Sequence, residues 1–132
     1  MSAELIVHAL LESPSIVALV GDRRALAQLP QGSAMPALVY KVVDVIPSPN
    51  VSYQVGPQRS IARVQFNPLA TSIAMVQTIH AVIKKELDFL HHVKVAEKLL
   101  VSCRFALHGP VDKDNETGLW TQPYDYLLQF SE

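Results

Sequence analysis

The chain has 132 residues, enough for one domain of ordinary size and too few for two separate cores. Hydrophobic residues make up 49% and charged residues only 17%, which excludes intrinsic disorder and is consistent with surface covered by other subunits. Eleven Lys and Arg against twelve Asp and Glu leave a net charge of −1, which gives no general electrostatic footprint for nucleic acid or anionic lipid.

The first twenty residues read as helix, because Leu5, Ile6, Ala9 and Leu10 recur at helical spacing. Acid at Glu4, where a secretory leader carries base, argues against a signal peptide, and no apolar run approaches the roughly 18 residues of a membrane span. Ser13-Pro14 interrupts as an N-cap followed by proline at the first helical position, and Gly21 closes the second helix at 16–20. Residues 22–36 read as a loop punctuated by Pro30, Gly32 and Pro36.

From Ala37 to Ile46 the residues are β-branched and aromatic, which suits a strand, and Pro47-Ser48-Pro49-Asn50 ends it. Val51, Tyr53 and Val55 alternate over a short piece before a turn at Gly56-Pro57. Ala62, Val64 and Phe66 alternate with Arg63 and Gln65, the pattern of a half-buried strand. Asn67-Pro68 then reads as the opening of a long helix, whose apolar stripe is Ile73, Val76, Ile79, Ile83, Leu87 and Leu90. His91-His92 ends that helix, and residues 91–97 read as a connection. Leu99, Val101, Cys103, Phe105 and Leu107 form a period-two strand with Leu100 and Ala106 as exceptions. Residues 109–118 are a polar loop, and Tyr124, Tyr126, Leu128 and Phe130 form a closing strand, with Pro123 at its start or on an edge. The expected fold is α+β: an antiparallel sheet of about four to five strands packed against one long helix, with short N-terminal helices, in one domain spanning 1–132.

Little in this pattern carries chemistry. The glycines at 21, 32, 56, 109 and 118 are too dispersed for a phosphate-cradling loop, and the five histidines offer no helical i, i+4 metal pair with a glutamate between. Cys103 has no second cysteine to bridge and sits on the apolar side of its strand, as a buried structural thiol does. The run Asp112-Lys113-Asp114-Asn115-Glu116-Thr117-Gly118 has acids at alternate positions, but Thr117 and Pro123 stand where a calcium loop needs glycine and glutamate. No catalytic, cofactor-binding or metal-binding residue is expected. Charge is unevenly spread: 59–104 hold seven bases and three acids, whereas 112–132 hold one base and five acids. Separated patches of opposite sign suit head-to-tail contact between copies.

Several landmarks resemble the tail-completion, or tail-terminator, proteins of long-tailed bacteriophages and prophages. They are Leu19-Val20-Gly21-Asp22-Arg23, then Leu29-Pro30-Gln31-Gly32 leading to Met35-Pro36-Ala37-Leu38-Val39-Tyr40, then Ala62-Arg63-Val64-Gln65-Phe66 and Glu116-Thr117-Gly118-Leu119-Trp120. The sequence departs from the family at 88–98, where a briefer link is expected. The resemblance implies a non-enzymatic subunit that forms a ring, typically a hexamer, at the head-proximal end of the tail. Such a ring caps the tail tube protein and presents a surface to the head connector or adaptor. It implies no cofactor, no nucleic-acid specificity and no membrane, with assembly in the bacterial host cytoplasm. Asp112, Lys113, Asp114, Asn115 and Glu116 are then the expected partner-contact residues, with Arg59 and Arg63 as their basic counterparts. The competing reading is a small-molecule-binding or catalytic domain with a pocket between sheet and helix.

Overall fold

The computed structural model describes residues 2–29, 32, 34–48 and 59–131. The short strand and turn expected at 51–57 lie outside these residues.

Helix α1 (Ser2–Leu10) is followed by α2 (Pro14–Val20), and the chain bends by 81° between them. The buried stripe of α1 is Ala3, Ile6 and Val7, continued by Leu11, while Leu5 points outward. Pro14 sits in the first turn of α2, where a missing N–H removes no helical bond. The Gly21 amide bonds the Val17 carbonyl at 2.7 Å with φ +58, a left-handed ending that suits a residue without Cβ. No single helix among the described residues is long and apolar enough to cross a membrane.

Strand β1 (Arg24–Leu26) lies parallel to β2 (Ala37–Ser48), a strand in the stretch expected to be loop. Strand β3 (Arg59–Ala70) pairs antiparallel with β2, and its burial alternates strictly along its length. That alternation runs on through Phe66, Pro68 and Ala70, so Asn67-Pro68 belongs to the strand and does not open a helix. The helix α3 (Ile73–Leu87) starts five residues later, where Ser72 caps it by accepting the Met75 amide at 3.3 Å. Val76, Ile79, Ile83 and Leu87 are buried in the expected stripe.

After α3 the expected connection is instead strand β4 (Leu90–Val95). It turns through Ala96 and Glu97, both at positive φ, into β5 (Lys98–His108). Both central residues at positive φ match the right-handed twist of a tight hairpin, a geometry ordinarily signalled by Asn-Gly. The register of β5 on β8 (Tyr124–Ser131) shifts between Leu100 and Ser102 and between Phe105 and Leu107. These irregularities lie beside the two exceptions in the alternation, Leu100 and Ala106. The small strands β6 (Asp112–Lys113) and β7 (Trp120–Thr121) pair with each other, and β7 extends along the end of β3.

The sheet order is β1-β2-β3-β8-β5-β4, with β6 and β7 off that path. The expectation of a four- to five-stranded antiparallel sheet under one long helix is therefore overturned. Among the described residues the protein is strand-dominated, an eight-stranded mixed sheet with three short helices of 9, 7 and 15 residues. Two things hid this: strand β3 is longer than its sequence signal, and β4 carries polar residues because it is an edge. Helix α1 touches β2 on one side and β4 and β5 on the other, so the sheet curls around the helices. Their shared core includes Ile6, Ile16, Leu38, Phe66, Ile79, Ile83, Tyr126 and Phe130. Among the described residues no helix covers the other face of the sheet, which carries half-buried Ile61, Arg63, Gln65, Leu127 and Gln129.

Candidate interaction surfaces

The loop expected to meet a partner begins after Gly109. A Cβ there would lie 2.5 Å from Pro123 Cγ, so only glycine lets the two chain segments pass. Its amide donates to the Pro123 carbonyl at 2.8 Å. Beyond it, residues 112–117 are all exposed but locally ordered. The Asp112 carboxylate accepts the Lys113 amide at 2.9 Å, and the Asp114 carboxylate accepts the Glu116 amide at 2.9 Å. The Asp114 carbonyl accepts the Gly118 amide at 2.7 Å. Hydrogen bonds from the Glu116 amide first, then from the Thr117 hydroxyl and amide, hold the Asp114 carboxyl below its ordinary value, because they favour the charged form. The Lys113 ammonium rests 5.2 Å from the Trp120 ring centre, leaving the carboxylates of Asp112, Asp114 and Glu116 as the outward charge. Asn115 is exposed at the tip.

The two expected arginines differ in kind. Arg63 projects from the helix-free face, where its Nε and Nη2 both bond Asp125 at 2.7 Å. Asp125 is only 3% exposed, and Gln65 donates to its second oxygen at 3.2 Å, with Asn67 donating to Gln65 at 3.2 Å. Arg63 is thus the counter-ion of a buried carboxylate, so it is a poor candidate for binding a partner. Arg59 is exposed at the first position of β3. The acidic loop lies at the opposite end, because β7 pairs with Leu69 and Ala70. Twelve residues of strand separate those ends by about 36 Å. Within one subunit the structure therefore does not bring the acids and arginines together, and the subunit is polarised along β3.

On the helix-free face Ile61, Ser102, Arg104, Leu127 and Gln129 line a half-open hollow of about 270 Å³. Arg104 is exposed on this face, a basic group that the reading of Arg59 and Arg63 passed over. Among the described residues no group of three His, Cys, Asp or Glu is placed to hold a metal.

The titratable groups that are perturbed lie inside the core. His80 stacks on Tyr124 with ring centres 3.6 Å apart and planes 4° apart, and its Nε2 lies 3.0 Å from the Tyr126 hydroxyl. Burial, with the Lys84 and His108 charges, pushes it down to about 4, against a smaller opposing effect of Asp88. Cys103 is buried, and burial followed by the Asp88 charge pushes its thiol up to about 12. Tyr126 moves upward for the same first reason. Sequence reasoning missed His80 although the signal was present: it stands four residues after Val76 and three before Ile83, on the buried stripe.

Also unforeseen is an outward apolar set. Phe89 is 80% exposed at φ 66, and Val43, Val45, Ile46 and Val93 are exposed on strands at the sheet's two edges.

No protein-family model matches this sequence, and no curated protein matches it. In fold the chain is similar to a chain of the solved structure "Virion of native gene transfer agent (GTA) particle". The TM-score is 0.74 at 13% sequence identity, covering 96% of this chain and 92% of that one. At that identity the likeness is one of fold.

Proposed function

We propose that this chain is a structural protein of a phage-type virion, and specifically a tail terminator. In this reading its copies form a ring, a hexamer, that caps the tail tube protein at the head-proximal end and meets the head connector or adaptor. Assembly takes place in the bacterial host cytoplasm. The observation that carries the reading is the fold likeness, over nearly the whole length of both chains, to a chain of a gene transfer agent virion. The short motifs shared with tail-completion proteins, from Leu19-Val20-Gly21 to Gly118-Leu119-Trp120, support it from the sequence side. A subunit that carries acid at one end of β3 and Arg59 at the other suits the head-to-tail contacts that a ring requires.

The chain does no chemistry and needs no cofactor in this account, and it binds neither nucleic acid specifically nor membrane. The competing small-molecule or catalytic reading finds no support in particular residues. Of the perturbed groups, His80 is packed among Tyr124, Phe105 and Tyr126 and Cys103 is buried, and the hollow on the other face is half open. Inactivating the gene in the phage or prophage that carries it, then imaging the particles by electron microscopy, tests the proposal. Head-joined tails of normal length should disappear. Normal particles at normal frequency would refute it.

A further inference from the structure

The strand order leaves two edges. On one side β4 has no outer strand partner among the described residues. On the other, β1 covers β2 only from Leu38 to Tyr40, so positions 41–46 have none among the described residues. The free stretch of β2 runs on to Ser48 and that of β4 from Leu90 to Val95, and four antiparallel steps separate β2 from β4, so both run in the same direction. Unpaired edges expose rows of N–H and C=O groups that template pairing with another chain, and most proteins blunt them with charge. Here the edges carry exposed apolar side chains as well as charge: Val43, Val45 and Ile46 on β2, the last 60% exposed, and Val93 with neighbouring Phe89 at β4.

Charge and facing agree as well. Lys94 pairs with Leu99, whose partner on β8 is Ser131, on the face away from the helices. Asp44 pairs with Arg63 on that same face. Val45 pairs with buried Ala62, and Val95 packs against the core, so both belong to the helix side. One parallel register therefore sets Lys94 beside Asp44 on one face and Val95 beside Val45 on the other. Strand β4 contains no acid, and Asp44 is the acid of the free stretch on β2.

We propose that copies of this chain join edge to edge, β4 of one subunit running parallel to residues 41–46 of the next, with Lys94 paired to Asp44 across the seam. The occupant of each edge is a second copy, and the contact is heterologous: each subunit offers a different edge to each neighbour, so the series closes into a ring or runs on. The seam deepens the self-assembly of the reading above and rests on that reading only for closure.

Two variants that each spoil one edge test it, Val45→Lys and Val93→Lys, with mass in solution read by light scattering. Wild-type protein should self-associate, and each variant alone should do so at least about tenfold more weakly, a loss of about 1.4 kcal/mol. Mixed in equal amounts, the variants should form a one-to-one pair and stop, because each retains the edge that the other lacks. The exposed charge swaps Asp44→Lys and Lys94→Asp serve if either valine variant fails to fold, as read by circular dichroism: each alone should associate more weakly, and their mixture should assemble beyond a pair, because every seam between unlike variants again sets a lysine against an aspartate. Wild-type protein that stays monomeric, variants that assemble like wild type, or a mixture that stays monomeric would each overturn the seam. A chain that pairs in this way in solution yet is missing from particles would refute the tail reading and leave the seam standing.

Discussion

His80 is neutral in the folded core and free to protonate once the chain unfolds. Its folded value near 4 lies below the ordinary value of 6.5, so between these limits the unfolded state binds the extra proton. Stability is therefore complete above about pH 6.5 and falls as pH drops toward 4, with a slope approaching about 1.4 kcal/mol per pH unit. Between pH 7 and 5 the loss from this group should be about 2 kcal/mol in denaturant titrations, and His80→Phe should flatten it. A wild-type protein equally stable at both values would contradict the assignment. Cys103 gives a second prediction at this scale. Its buried, undissociated thiol should react with a thiol reagent only on unfolding, and Cys103→Ala should cost about 1 kcal/mol. Rapid labelling of the native protein would count against it. Burial of Cys103 was legible in the sequence from its apolar strand neighbours, whereas the Arg63–Asp125 pair was not, because the two residues are 62 positions apart and meet only through the β3–β8 register.

At the scale of elements, α3 holds the core by Ile79 and Ile83, both essentially without exposure. Ile83→Asp would place an unpaired charge there and should unfold the subunit, a loss above about 4 kcal/mol. A native-like circular dichroism spectrum from that variant would sink the assigned face. The stretch after α3 behaves oppositely. Phe89 sits at φ 66, where an ordinary L-residue costs about 1–2 kcal/mol, and its ring is mostly in solvent. Phe89→Asn should therefore hold or raise the melting temperature while weakening self-association, and a clear drop in melting temperature would contradict this. The elements with strong periodicity, β5, β8 and the α3 stripe, and β2 with its β-branched and aromatic residues, were legible from the sequence. Those missed were read wrongly for local reasons. Pro68 looks like a helix opener but lies within β3, where the interrupted ladder is tolerated, and β4 is an edge strand with two histidines and a lysine instead of an alternating pattern. The Ala96-Glu97 hairpin lacks the Asn-Gly signal, so a strand pair passed for a connection.

For the whole molecule, the acidic loop and the edges left open among the described residues are separate surfaces, and the proposed ring on a tail would need contacts both between copies and along the tail. Residues 112–117 are held in shape by their own backbone bonds, so reversing charge at Asp112, Asp114 and Glu116 together should leave the subunit folded while impairing tail completion. A single neutral change there should do little, because exposed ion pairs are worth about 1 kcal/mol or less. Tails of normal length joined to heads at normal frequency in the triple variant would show the loop to be solvated surface. The central claim is the place of the chain in the particle, and immunogold electron microscopy with antibody raised against the purified protein reads that place directly. The account predicts gold at the junction between head and tail. Gold confined to capsids or scattered along the tube, or particles that carry none, would contradict it.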